Sequence, residues 1–511
     1  MNHKISYKDI KQFSKLVLDY IQQNEKLEPF INHFPKIENF GKQIIEKKKQ
    51  PIDRNLLVHV LKEQNQCVNL SKLSKINITS LKDTSTFSVS TGHQICLFTG
   101  PLYFLYKIIS TINLCEQLNQ KYVNNHFVPI FWMATEDHDF NEINHVNLFG
   151  HKVEWHTKQS GAVGKMSLDN FDSVISELKL VLGSHRKLDK IIFVFEQAYL
   201  ENKNLADATR YLLNELFGFY GLVIVDGNER NLKKCFIPQM KRDIIENRFS
   251  SMMRQCSSRL SKHYKVQAYV RDINFFRLLE GKRELINKSV SEREIEDNPE
   301  FFSPNVLLRP LYQEIVLPNI AYVGGGAEVS YWMQLKTVFE QEKIPFPILV
   351  LRNSALLINA KQKSKFENLG FKLEDIFLTD NELYKRYIFA NNHLEICLDK
   401  DKEDLNLLYQ NLLSKTVDSS LQESIRAQLK KQISYFDVLQ TKIIRSEKKK
   451  NQIAINQIAK IKKQLFPNNM LQERYDNLIV YYLEYGDNFI KTLKNNFDPL
   501  NANFVILSFK N

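Results

Sequence analysis

FSVSTGHQICLFTGPLYFLYK, residues 87–107, is the passage on which the reading of this chain turns. A β-rich run, FSVST (87–91), opens it, and an apolar helical segment beginning LYFLYK closes it. Pro101 suits the first turn of that helix, where its missing N–H would have no partner anyway. Between the two lies TGHQICLFTGP (91–101), with two glycines, two threonines, a His, a Gln and a Pro. A chain with only 16 glycines in 511 residues concentrates turn-forming and hydrogen-bonding residues here. The passage reads as strand, ligand loop, helix.

The same grammar recurs outward from it. HFVPIFWMAT (126–135) and GLVIVDGN (221–228) read as buried strands ending in turn residues. IIFVF (191–195) reads as another strand, followed by a helix over 203–217. IAYVGGGAE (320–328) precedes a helix, SYWMQLKTVFEQEK, and PFPILVLR (345–352) is one more strand. Strands alternating with helices predict a mostly parallel α/β sheet. Stretches at about 140–190 and 228–315 interrupt the alternation and read as insertions. The second insertion carries two charged helices and a loop, SEREIEDNPEFFSP.

At 511 residues the chain exceeds what one hydrophobic core organises, so a second domain is expected. Glycine and proline are absent from Phe371 to Phe466. Within that span Leu421, Ile425, Leu429, Ile433, Phe436, Leu439 and Ile443 recur in steps of three and four, a helical stripe. One helix from about 417 to Phe466 would be ~70 Å long at ~1.5 Å per residue. So long a stripe needs a partner helix. The expected organisation is an α/β core over 1–392 and a helical, coiled-coil-like domain over 393–511.

The net charge of +12 raises the question of nucleic acid. The densest basic stretch, KIIRSEKKKNQIAINQIAKIKK (442–463), interleaves only aliphatic residues. Without an aromatic stacking surface it reads as a solvated helix face, and no nucleic-acid partner is expected. No apolar run approaches the ~20 residues that span a bilayer, so no membrane partner is expected. The N-terminus, MNHKISYKDIKQFSKLVLDYIQ, lacks a secretory signal pattern, and a cytoplasmic location is expected. Cys67, Cys96, Cys115, Cys235, Cys256 and Cys397 show no CxxC or metal-ligand spacing, and read as reduced, mostly buried thiols.

Open α/β sheets bind ligands outside the carboxyl ends of their strands. TGHQ (91–94), TEDHD (135–139) and GGGAE (324–328) all sit at such ends. Thr99, Gly100 and the turn after Pro101 would offer backbone N–H groups to a carboxylate or phosphate. Gly324, Gly325 and Gly326 would offer a second such surface. Thr91, Gly92, His93, Gln94, Tyr103, Lys107, Asp137 and Glu328 complete the expected binding set. Glu136, His138 and Asp139 are the candidate bases for taking a proton from an amine nucleophile. Two of these carboxylates could instead hold Mg²⁺, and Asp137 or Asp139 could simply cap the helix that follows.

TGHQICLFTGPLYFLYK, PIFWMATEDHDFNEINHV, AYVGGGAEVSYWMQL and LFPNNMLQERYDN, in this order and spacing, resemble the bacillithiol biosynthesis cysteine-adding enzymes, the BshC cysteine ligase family. The resemblance runs from about residue 85 to the C-terminus. It implies a Rossmann-like core of the nucleotidyltransferase type with connecting-peptide insertions, and a C-terminal coiled coil that mediates homodimerisation. It also implies the last step of bacillithiol synthesis, joining L-cysteine to the amine of glucosaminyl malate. The family usually has Gln where this chain has His93, which argues against an obligatory role there, while Gln94 fits the pattern. Amide formation from a free carboxylate is uphill in water, so the cysteine carboxyl needs activation. ATP with Mg²⁺ would suit the fold's relatives, but no phosphate motif in the sequence demonstrates it, and the cofactor is left open. Two other classes stay open: a nucleotidyltransferase-like enzyme activating a different carboxylic acid, and a non-catalytic coiled-coil scaffold. The scaffold gives no reason for TEDHD and GGGAE at strand ends.

Overall fold

The structure is a computed structural model that describes residues 2–183, 188–279, 281–286, 289–391 and 398–509. Five strands carry the core: β1 (Thr86–His93), β2 (His126–Met133), β3 (Val223–Asp226), β4 (Asn319–Gly324) and β5 (Ile348–Leu351). All pair in parallel, in the spatial order β3-β2-β1-β4-β5. β1 and β2 are in register along their whole length, from Thr86 opposite His126 to His93 opposite Met133. The order reverses between β1 and β4. At such a switch the flanking connections leave on opposite faces and open a crevice at the strands' carboxyl ends.

Alternation along β2 shows why this sheet forms. Val128, Ile130 and Trp132 enter one core with Leu57, Leu61 and Tyr312, whereas Phe131 and Met133 enter the opposite one. Both faces are covered, so the strand reads as an unbroken apolar run. Helix α1 (Leu102–Lys121) follows β1 and is buried along nearly its full circumference. The GGG turn after β4 opens a short helix, α2 (Gly326–Trp332).

Several expectations need correction. IIFVF lies in a helix, Asp189–Leu200, not a strand. Ile191, Val194, Phe195, Ala198 and Tyr199 are its buried residues, and their 3.6-residue spacing emerges only beyond the five-residue apolar run. The SEREIEDNPEFFSP segment is not a loop: it forms a helix, Glu292–Asp297, and a strand, Phe302–Pro304. The Ser291 side chain accepts from the Glu294 amide and starts that helix, a cap legible in S-x-x-E. The expected long helix is two helices. With the preceding α3 (Asp399–Leu413), they are α4 (Ser419–Lys450) and α5 (Gln452–Leu465), parted at Asn451.

α3 packs on α4, with Lys402 of α3 paired to Asp437 of α4 at 2.6 Å. Even so, Leu407, Leu408, Leu421, Val438 and Leu439 stay half or more exposed. The expected boundary at 392/393 lies outside the described residues, as does Cys397. Of the other cysteines, Cys96, Cys115 and Cys256 are buried and all five are free thiols. The strand Asn503–Phe509 pairs with Ala355–Asn359 and with Asn2–Ser6, so both ends of the chain share one small sheet. Among the described residues no helix is long and apolar enough to cross a membrane.

Candidate active site

A cleft of about 530 Å³ opens at the switch point. Its walls come from the ends of β1, β2, β4 and β5, from the second insertion, and from Arg474 in the C-terminal quarter.

Beneath the β1–β4 junction lies Lys107, fully buried, its Nζ donating to the Gly92 carbonyl at 2.5 Å. The same ammonium pairs with Glu328 Oε2 at 2.6 Å. Glu328 also accepts from the Tyr322 hydroxyl at 2.5 Å and the Gly325 amide at 2.9 Å. Burial pushes the Glu328 carboxyl up, but Lys107 and these donors outweigh it and hold it below the usual carboxylate range. Burial lowers the Lys107 pKa, with Glu328 opposing.

His93 Nδ1 lies 2.9 Å from the Gln94 carbonyl and so carries the ring proton. Nε2 then accepts from the Tyr103 hydroxyl at 3.2 Å. Burial first, and the Lys107 charge second, push this imidazole down to about 4. Between pH 6.5 and about 4 the unfolded chain takes up a proton that the folded chain refuses. The stability linked to the neutral ring is thus complete above pH 6.5 and lost as pH falls toward 4. Urea unfolding across that window should show the loss, and His93→Gln should flatten it. An unchanged slope in the variant would count against the assignment.

On the β2 side, Gln94 Nε2 donates to Asp137 Oδ2 at 2.7 Å and Glu142 Oε2 at 2.8 Å. Asp137 Oδ1 accepts from the His138 amide at 2.7 Å, so Asp137 holds the turn before the helix Phe140–Ile143. Glu136 pairs with Lys233, which is fully buried and also donates to the Phe302 carbonyl at 2.8 Å. Arg283, stacked 4.1 Å over Phe276, approaches Asp137 at 3.7 Å and His138 Nδ1 at 3.1 Å.

The β4–β5 side is cationic. Arg352 directly follows β5 and is 5% exposed. Its Nη1 donates to the Asn353 carbonyl and Ser354 Oγ, and its Nη2 to Glu473 Oε1 at 2.7 Å. Its Nε is buried without a partner. Burial works against the Arg352 charge, but Glu473 outweighs it and raises the pKa. Arg309 lies 5.7 Å over the Tyr322 ring and donates to Gln313. Among the described residues neither Arg309 nor Arg474 forms an ion pair with a carboxylate.

Of the residues singled out from sequence, Gly92, His93, Gln94, Tyr103, Lys107, Glu136, Asp137, Gly325, Gly326 and Glu328 line this cleft. His138 stands near its rim through Arg283, and Asp139 is exposed and does not line it. Thr91 ties β1 to β4, its hydroxyl donating to the Val323 carbonyl at 2.7 Å. Gly324 lies behind the wall, against Tyr322. Thr99 and Gly100 are not ligand residues in this geometry but a seam to the C-terminal segment. Asn477 Nδ2 donates to the Phe98 and Gly100 carbonyls, and the Leu102 amide donates to the Asp476 carbonyl. The Gly100 amide is likewise taken, by the Leu97 carbonyl at 2.8 Å. Gly100 is required there by φ +60° and by Cys96, whose Cβ would lie 2.6 Å from an added Cβ. Of the amides expected to hold an anion, those of Gly100 and Leu102 are therefore committed within the chain.

Sequence reasoning missed Lys233, Arg283, Arg309, Arg352 and Arg474. Arg352 had a signal: it ends PFPILVLR, at the same strand-end position that singled out TGHQ. Arg474 had none. For a metal, Glu136, Asp137 and Glu142 are engaged by Lys233, Gln94 and Arg283. Among the described residues no group of three or more His, Cys, Asp or Glu is arranged to hold one.

A parallel sheet ordered 3-2-1-4-5, with a polar cleft at its reversal, places the molecule among the Rossmann-like enzymes. Residues 1–353 match the family described as Bacillithiol biosynthesis BshC, N-terminal Rossmann-like domain, and residues 355–509 its C-terminal coiled-coil domain. Proteins named "Putative cysteine ligase BshC" from Christiangramia forsetii and Flavobacterium psychrophilum are 42% and 41% identical to this chain. Those alignments cover 99% and 98% of this chain and 98% of each relative. A protein of the same name from Staphylococcus aureus is 26% identical over 88% of this chain and 89% of its own. The chain belongs to the BshC family, a family of ligases, as the four sequence motifs implied.

Proposed function

We propose that this ligase joins the carboxyl of L-cysteine to the amine of glucosaminyl malate, the last step of bacillithiol synthesis. One observation carries the reading: apart from Arg283 beside Asp137 and Glu328 paired with Lys107, the cleft's charges sort by side. Glu136, Asp137 and Glu142 stand on the β2 side, while Arg309, Arg352 and Arg474 stand on the β4–β5 side. An acceptor with an amine at one end and two carboxylates at the other fits that division. A different carboxylic acid could be activated by the same loops, but the acidic side then has no amine to meet.

The amine must lose its proton before it attacks the cysteine carbonyl. Glu136 is the base on this reading, the one candidate of the three that faces the cleft. Lys233 fixes its carboxylate by pairing with it from the buried side. Gln94, bridging Asp137 and Glu142, holds the neighbouring carboxylates in place. His93 is neutral and donates to the loop's own carbonyl, so it orients Tyr103 rather than moving a proton. ATP with Mg²⁺ would suit the fold's relatives as an activator, yet the backbone amides of Gly100, Leu102 and Gly325 that would suit its phosphates are taken. Incubating the purified chain with L-cysteine and glucosaminyl malate, with and without ATP and Mg²⁺, tests the reaction by mass spectrometry. Absence of bacillithiol under all conditions would overturn it.

The protein is further proposed to be a homodimer joined through α3 and α4. Leu407, Leu408, Leu421, Val438 and Leu439 form apolar surface that one chain leaves half or more in water. Covering five such side chains in a partner would exceed typical association costs, at ~25 cal/mol per Å² buried. Sedimentation of the intact chain should give a dimer, and Leu421→Glu with Leu439→Glu a monomer. A monomeric intact chain would disprove it.

A further inference from the structure

Three features belong to the cationic side of the cleft. The Arg352 side chain is almost wholly buried, and its guanidinium is committed on two of three nitrogens: Nη1 to Asn353 and Ser354, Nη2 to Glu473. The third, Nε, has no partner. A buried donor left unmade is costly, and native structures rarely keep one without a reason. Gly325 provides the reason for the open space. A Cβ there would stand 3.7 Å from Arg352 Nε and 3.6 Å from Glu328 Oε2, so the missing side chain leaves a gap beside this buried N–H. Arg474 lines the same cleft, exposed and without a carboxylate partner among the described residues. Since Glu473 already neutralises Arg352, the local excess of charge comes from Arg474.

We infer that Arg352 Nε, beside the opening left by Gly325, and Arg474, lining the same cleft, form a carboxylate subsite that takes the malyl end of the acceptor. The inference rests on reading the cleft as the acceptor site. A carboxylate is favoured over a phosphate because phosphate sites are built on several free backbone amides. Here the Gly325 amide is held by Glu328, and the Gly100 and Leu102 amides are held by other carbonyls. One side-chain N–H beside one unpaired guanidinium suits the two oxygens of a carboxylate. The subsite is also shared by both halves of the chain, since Arg474 arrives from the C-terminal quarter. That gives the helical unit a part in substrate selection.

Two variants test it with little risk to folding. Gly325→Ala adds a methyl at ordinary van der Waals distance, on a backbone with φ −77° that any residue adopts. Arg474→Gln changes an exposed side chain. L-Malate and inorganic phosphate are titrated calorimetrically into the full chain and both variants, and KM for glucosaminyl malate is measured alongside. Each variant should weaken L-malate binding and raise that KM by about tenfold, equivalent to ~1.4 kcal/mol. Melting temperature should hardly move. If both variants keep the wild-type L-malate affinity and KM, the subsite is wrong. If the variants lose phosphate but not L-malate, the anion is a phosphate and the carboxylate assignment falls. L-Malate binding needs no turnover, so variant-sensitive binding without any amide product would overturn the reaction and leave the subsite standing.

Discussion

Glu136→Gln is expected to lower turnover by about 10²–10⁴-fold, the range that removal of a positioned general base costs. The argument is geometric. Glu136 faces the cleft while its carboxylate pairs with the buried Lys233 ammonium, itself anchored to the Phe302 carbonyl. A base so fixed need not reorganise as the amine loses its proton. The substitution also leaves Lys233 without its counter-charge. Burial already lowers the Lys233 pKa, so the lysine should shed its proton and the melting temperature should fall modestly. A double variant, Glu136→Gln with Lys233→Met, separates the two effects. It removes both charges and should recover much of the melting temperature while turnover stays low. Recovery of turnover in the double variant would show that Glu136 is a structural partner only. Asp139→Asn serves as the control, since that side chain is exposed and outside the cleft. It should leave turnover within about twofold, within the ~0.5 kcal/mol spread of ordinary surface changes.

The second large effect concerns stability. Glu473→Ala is expected to destabilise the folded chain by about 3–5 kcal/mol, the usual consequence of removing one partner of a buried ion pair. Glu473 is 1% exposed and serves three groups at once. Its Oε1 accepts from Arg352 at 2.7 Å and from Ser354 Oγ at 3.2 Å, and its Oε2 from the Ala355 amide at 3.3 Å. Losing it leaves the Arg352 charge buried without compensation, at the point where the core meets the C-terminal segment. Thermal and urea unfolding read the change. Glu473→Gln, which keeps the shape and one acceptor, should fall between the two. A Glu473→Ala chain that melts like the unaltered protein would refute the pair's structural role. The same variant should bind substrate poorly, because Arg352 loses the partner that fixes its Nε toward Gly325.

Much of the core is legible in the amino-acid sequence alone. The apolar runs of β1, β2, β3, β4 and β5 are bounded by glycine, proline and small polar residues, and each is a strand in the fold. Their alternation with helices suffices for a parallel sheet, since parallel neighbours require crossovers. TGHQ, TEDHD and GGGAE are visible as candidate sites because they combine rare glycines or clustered charges with a strand end, and each gives residues to the cleft. Local chemistry of that kind is written in neighbouring residues.

What the sequence by itself could not determine involves residues far apart in the chain. IIFVF satisfies a strand pattern over five residues, and only packing against the core adjoining α1 selects the helix. Thr99 and Gly100 carry the composition of a ligand loop, yet Asp476 and Asn477 occupy their neighbourhood from across the fold. Glu136 meets Lys233, and Gly325 meets Arg352, through pairings that the strand order β3-β2-β1-β4-β5 creates. Arg474 sits in a polar turn whose motif, LFPNNMLQERYDN, points to no ligand by itself, and becomes a cleft residue because Glu473 beside it pairs with Arg352. Sequence spacing encodes which elements form, since that is set by neighbouring dihedrals and side-chain period. Which charges face one another is set by tertiary packing, where burial decides whether an arginine is solvated or held ready for a ligand.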